Sequence, residues 1–207
     1  MPPDYAKFSA IVLVGGRSSR MGRHKAMLPF GGTTLIERLI AELRRVSDDI
    51  VVVAAPESVP ESALPPLDVR VVRDEVAFAG PAPALLAGLR FVRREVAFAC
   101  GSDLPMLGAQ LAAQLCSMLE EHDDAVIPVV AEHPQVLHAV YRRRCVGALE
   151  TMLARSDRRL YAIDRLVKVR RVEENELRRF DPELRSFFNL NTPEDYAAAL
   201  GLIESVR

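Results

Sequence analysis

Cysteine is scarce in this 207-residue chain: Cys100, Cys116 and Cys145 are an odd number with no C-x-x-C spacing. That argues against both a disulfide framework and a zinc site. An excess of either charge is missing too. Lys and Arg total 27 against 28 Asp and Glu, a formal net of −1, which removes the composition argument for a nucleic-acid partner. No apolar run approaches the roughly 20 residues that a bilayer-spanning helix needs. Met1-Pro-Pro-Asp-Tyr-Ala-Lys7 lacks the basic and apolar regions of a signal peptide, so a soluble, cytoplasmic protein with no membrane partner is expected. Neither G-x-G-x-x-G nor G-x-x-x-x-G-K-[ST] occurs, which excludes the dinucleotide fingerprint and the Walker loop. Internal repeats and low-complexity linkers are also absent.

What is present is an ordinary globular mixture, 49% hydrophobic and 27% charged, long enough for one domain with a sizeable core. Apolar, β-branched runs at Ser9 to Val14, Ile50 to Ala54, Val69 to Arg73, Val96 to Ala99 and Ala125 to Val130 predict strands. Between them, helices are expected at 34–45, 84–92 and 108–121, the first with Thr34 as N-cap and Glu37 completing a capping box. This order predicts a three-layer α/β/α, Rossmann-like fold with a mostly parallel mixed sheet. Further on, 136–141 reads as the return strand of a hairpin, 145–155 and 158–166 as helices, and 167–172 as a strand. A last helix starts at Pro193 behind Thr192, with Glu194 and Asp195 in its first turn. Pro56 to Pro66 reads as a surface loop. Ligands of such sheets sit at the carboxyl ends of strands, so the informative loops follow Val14, Arg73 and Ala99.

The first of these loops reads Leu13-Val-Gly-Gly-Arg-Ser-Ser-Arg-Met-Gly-Arg-His-Lys25. Paired glycines after a strand leave backbone N–H groups bare, which suits phosphate oxygens. Arg17, Arg20, Arg23 and Lys25 add four cations with no carboxylate among them. A solvated basic turn is the plain alternative. In type and spacing, Gly15 to Lys25 resembles the opening of the sugar- and cofactor-nucleotidyltransferases. The resemblance implies that Leu13, Val14, Gly15 and Gly16 hold a nucleotide, that Lys25 neutralises its triphosphate, and that Arg20 supports it.

Asp103, in Cys100-Gly-Ser-Asp-Leu-Pro105, stands just past a strand end, where a carboxylate can hold a hard cation against phosphate or can cap a turn. The same resemblance makes Asp103 the Mg2+ ligand and Asp74 a second, nucleotide-holding carboxylate, with Gly80-Pro81 as the family's Gly-Pro turn. Pro83 and Ala84 depart from the usual sequence there. Ala54 stands where an asparagine often contacts the nucleoside, so base recognition at that position falls to backbone groups or water. The cysteines read as packing residues, Cys145 included, although it begins a helix.

Between Arg142 and Arg179 twelve Lys and Arg face six Asp and Glu. Such a run is a solvated face or a lure for an anionic acceptor. In Phe187-Phe-Asn-Leu-Asn-Thr-Pro-Glu-Asp195, alternation would put Asn189 and Asn191 on one side, opposite Phe188 and Leu190. Their amides could serve a heterocycle or phosphate, or simply cap turns. Thr-Pro-Glu-Asp is accounted for as a helix start.

With Pro134-Gln135, His138-Ala-Val-Tyr141 and Ser186 to Asp195 added, the chain from Ser9 to about Leu200 resembles the molybdenum cofactor guanylyltransferase family, within the MobA-like NTP transferase superfamily. The resemblance implies one nucleotidyltransferase domain over 1–207, nucleotide-binding over about 8–108 and acceptor-binding over about 109–207. It implies GMP transfer from GTP to the terminal phosphate of molybdenum-molybdopterin, with Mg2+ as cofactor, Lys25, Asp103 and Arg20 as catalytic residues, and Asn189 and Asn191 at the pterin. Transient contact with molybdenum-insertion and molybdoenzyme-maturation proteins and a monomeric state are further expectations. CMP transfer from CTP to the same acceptor, a sugar-phosphate acceptor, and a non-catalytic cofactor-binding protein are the alternatives.

Overall fold

The computed structural model describes residues 8–15, 25–55, 69–73 and 80–204. The expected loop at 56–66 lies outside them. In chain order come β1 (Ser9–Val14), β2 (Pro29–Phe30), β3 (Thr33–Thr34), α1 (Leu35–Arg44), β4 (Ile50–Ala54) and β5 (Arg70–Arg73). Then follow α2 (Pro81–Phe91), β6 (Val96–Gly101), α3 (Ala109–Ser117), β7 (Ala125–Val130), β8 (His133–Pro134) and β9 (His138–Arg142). The chain closes with α4 (Cys145–Ala154), β10 (Val169–Val172), the one-turn α5 (Glu174–Leu177) and α6 (Pro193–Glu204).

The main sheet runs β10-β7-β9-β6-β1-β4-β5, with β8 paired to β7. β9 is antiparallel to both neighbours and the other main pairings are parallel. Alternation along β1 explains the layering. Ala10, Val12 and Val14 pack with α1 and α3, while Ile11 and Leu13 pack with α2 and α4. Each large aliphatic side chain buried this way contributes about 1.5–3 kcal/mol. On α1 these are Leu35, Ile36, Leu39, Ile40 and Leu43, and the predicted capping box of Thr34 and Glu37 is formed.

Local chemistry accounts for most departures from the predicted elements. α2 begins at Pro81 rather than Ala84, because Gly80 takes φ 97° and proline fills the first helical position, where no N–H is needed. α3 stops at Ser117: its hydroxyl bonds back to Gln114 O at 2.7 Å, and Asp123 captures Glu120 N at 3.1 Å in a turn. Residues 160–165 form a 3-10 turn rather than an α-helix. The hairpin return from β7 is the short β8, after a turn at Ala131 and Glu132. The apolar run that follows enters the sheet between β6 and β7, where four of its five residues are buried.

Candidate active site

Parallel register brings the expected loops to one edge. Val14 pairs with Ala54, Ala54 with Arg73, and Leu13 with Gly101. Ala55 N donates to Val14 O and Ser102 N donates to Leu13 O, each at 3.1 Å. The start of the glycine loop therefore lies between the Asp103 turn and the end of β4. Gly16, Arg20 and Asp74, with the other loop cations Arg17 and Arg23, fall outside the described residues.

The far end of that loop, a 3-10 turn at Lys25–Met27, is tied to two distant segments. Lys25 Nζ donates to Leu190 O at 2.7 Å, and Leu190 N donates to Asp103 O at 2.9 Å. A single buried residue thus bridges the loop lysine and the aspartate turn, and it stands between Asn189 and Asn191. Leu190 is held by its own side chain, which packs with Phe30, Leu35 and Ala199.

Asp103 has an unusual environment. Burial raises its carboxyl pKa, opposed by a hydrogen bond from its own backbone N–H and by the charge on Lys25. Asp49, deep at the other end of the sheet, is the contrast. Burial works to raise its pKa too, but donors from Ser9, Arg93 and Arg70 overcome it and the carboxyl is lowered. Among the described residues, Asp103 has only its own backbone N–H and the Lys25 charge set against that burial. Space is kept for it: a Cβ at position 101 would lie 2.5 Å from Asp103 Oδ1, so only glycine admits this carboxylate position unchanged. Among the described residues no three His, Cys, Asp or Glu converge into a metal cage.

The asparagines behave differently from each other. Asn189 Nδ2 donates to Phe187 O at 3.1 Å, a local turn contact, while Asn191 is exposed and its backbone N–H bonds to Asp195. Both flank Leu190, and neither lies in a sheet. Ala54 is fully buried, and its methyl group has no hydrogen-bonding atom to offer a nucleoside.

Much of the basic run is internally paired. Arg144 meets Asp124, Arg159 meets Asp157, Arg170 meets Glu120, Arg171 meets Asp164 and Arg178 meets Glu174. Those contacts favour a solvated, self-neutralised face over a diffuse anion lure. Burial pushes all three thiols up, Cys145 to about 12, in keeping with packing roles.

Sequence reasoning missed two contributors to this junction and the setting of one buried histidine. The Leu190 carbonyl is a backbone group and leaves no side-chain signal. Asp195 was accounted for by its helix. His138 is buried with neither ring nitrogen hydrogen-bonded, stacked on Phe187 at 4.3 Å and edge-on to Phe98 at 5.4 Å between centroids. The sequence marked it only as part of the His138-Ala-Val-Tyr141 motif and gave no sign of its burial.

The family model for the MobA-like NTP transferase domain matches residues 10–172. A Desulfosudis oleivorans protein named molybdenum cofactor guanylyltransferase is 33% identical, covering 96% of this chain and 97% of its own length. A Methanosarcina mazei protein, named "Probable molybdenum cofactor guanylyltransferase", is 36% identical over 93% of this chain and 90% of its own. Among solved structures, molybdopterin-guanine dinucleotide biosynthesis protein A from Archaeoglobus fulgidus superposes with a TM-score of 0.81 at 26% identity, over 96% of this chain and all of that one. The chain belongs to the MobA-like NTP transferase family and is a nucleotidyltransferase.

Proposed function

We propose that this protein transfers GMP from GTP to the terminal phosphate of molybdenum-molybdopterin, forming molybdopterin guanine dinucleotide and pyrophosphate. The observation that carries the reading is the junction at Leu190, which joins the loop lysine, the Asp103 turn and the Asn189–Asn191 segment at one sheet edge. The names of the relatives supply the base and the acceptor.

An acceptor phosphate oxygen attacks the α-phosphorus of GTP in line. A new P–O bond forms, the bond to the bridging oxygen breaks, and its electron pair leaves on pyrophosphate. The nucleophile already carries its negative charge, so no general base is required. Lys25 places a positive charge on the triphosphate, with Arg20 beside it, and the Gly15 and Gly16 N–H groups hold it by hydrogen bonds. Leu13, Val14, Ala54 and Asp74 complete the nucleotide side, and Asn189 and Asn191 face the pterin. Asp103 would hold Mg2+, which supplies charge neutralisation at the phosphates when bound. The nucleotide side is drawn from about 8–108 and the acceptor side from about 109–207 of one cytoplasmic, monomeric domain.

Pyrophosphate release with molybdenum-molybdopterin tests the reading. GTP with Mg2+ should support it and CTP should support little. A preference for CTP would transfer the assignment to CMP. Tight molybdopterin binding with no release from either nucleotide would mark a non-catalytic binder.

A further inference from the structure

The segment that reaches Lys25 is itself held from α6. Asp195 Oδ2 accepts hydrogen bonds from the backbone N–H groups of Asn191 and Thr192, both at 2.8 Å, and Asp195 N donates to Thr192 Oγ1 at 3.1 Å. A helix cap needs only the reciprocal pair with Thr192. The bond to Asn191 reaches one residue farther, to the neighbour of Leu190. Leu190 is then fixed on three sides: by this tether, by its N–H on Asp103 O, and by its side chain among Phe30, Leu35 and Ala199. Its carbonyl faces Lys25 Nζ at 2.7 Å.

The same helix also grips the chain that follows Lys25. The Tyr196 hydroxyl donates to Pro29 O, and Ile203 Cδ1 would lie 3.4 Å from a Cβ at Gly31. α6 therefore holds both the exit of the lysine's turn and the carbonyl that receives its amine. Asp195 has its carboxyl below the usual range, through the Asn191 and Thr192 N–H groups first and the Lys25 charge last.

We propose that Asp195 is a positioning residue for Lys25, acting through the backbone of Asn191 and the carbonyl of Leu190. Its consequence for turnover rests on Lys25 serving the triphosphate, but its effect on the lysine does not.

The chain has only three lysines, Lys7, Lys25 and Lys168, so acylation of each amine can be followed separately by peptide mass spectrometry. Lys168 is exposed and serves as the reference. Without nucleotide, Asp195→Ala should raise the Lys25 labelling rate several-fold relative to Lys168. Asp195→Asn, whose amide oxygen can accept both N–H groups, should remain near the unaltered protein. Thr192→Ala loses the cap but keeps the Asn191 bond, so it should lower Tm without raising Lys25 labelling. In the transfer assay, Asp195→Ala should reduce kcat/KM by about ten- to a hundredfold, up to the scale of a catalytic group displaced by about 1 Å, and Asp195→Asn should restore it. Should Asp195→Ala unfold, Asp195→Ser keeps a capping oxygen too short to serve Asn191 and carries the same comparison. Unchanged labelling in Asp195→Ala, equal labelling in Thr192→Ala, or failure of Asp195→Asn to rescue would each overturn the proposal. Failure of GTP and Mg2+ to protect Lys25 in the unaltered protein would instead strike the nucleotide reading, leaving the labelling contrast to judge Asp195.

Discussion

At the scale of single residues, charge and burial decide what each group can do. Lys25 and Asp103 are joined through Leu190, and the lysine charge also acts on the aspartate carboxyl. Removing the amine in Lys25→Ala should slow pyrophosphate release by about two to three orders of magnitude, the scale of a lost transition-state donor. Tm should fall as well, because the Leu190 carbonyl loses its charged donor at a cost of about 1–3 kcal/mol. Asp103→Ala should lose more, and the rise in GTP affinity on adding Mg2+ should vanish; a Mg2+ response that survives would remove the metal assignment. His138 gives a pH signature. Burial lowers its pKa from 6.5 to about 3, so the unfolded chain binds the proton first. Its contribution to stability is full above pH 6.5 and is lost as pH falls toward 3. His138→Phe keeps a ring on Phe187. In paired denaturation curves it should lose less stability than the unaltered protein between pH 6.5 and 5, by up to about 1.4 kcal/mol per pH unit. Parallel pH curves would show that the imidazole is not held neutral.

At the scale of elements, what was legible in the sequence was local. α1 announces itself through apolar spacing and the Thr34–Glu37 box, both readable within a dozen residues, and both are present. Thr34→Ala should destabilise the fold by about 1 kcal/mol, the ordinary value of an N-cap, while kcat at saturating GTP stays unchanged. Calorimetry and the release assay together check this. β9 was harder. Its residues read as a strand, but its insertion between β6 and β7 depends on partners far away in sequence. The Asn-Leu-Asn segment was legible as a motif, though not the backbone contact at its centre. Alternation drew attention to two amide side chains, while the contact that binds the site together comes from the buried residue between them.

At the scale of the molecule, the sheet divides the labour between its two ends. One end is locked by Asp49, which receives Ser9, Arg93 and Arg70 and ties the entrances of several strands together. The other end gathers Gly15, Ala54, Asp103 and the 189–191 segment. Gly15 and Asp103 could be assigned to that edge from their place after strands, and Asn189 and Asn191 only through the family resemblance. Its wiring could not, because backbone carbonyls and the reach of α6 carry no sequence signature. The central claim is that this edge receives the triphosphate between Lys25 and Asp103. A crystal structure with GTP and Mg2+ measures it directly: the phosphates should lie against Lys25 and the glycine loop, with the metal on Asp103. Phosphates bound elsewhere, with Lys25 still on the Leu190 carbonyl and no metal at Asp103, would contradict it.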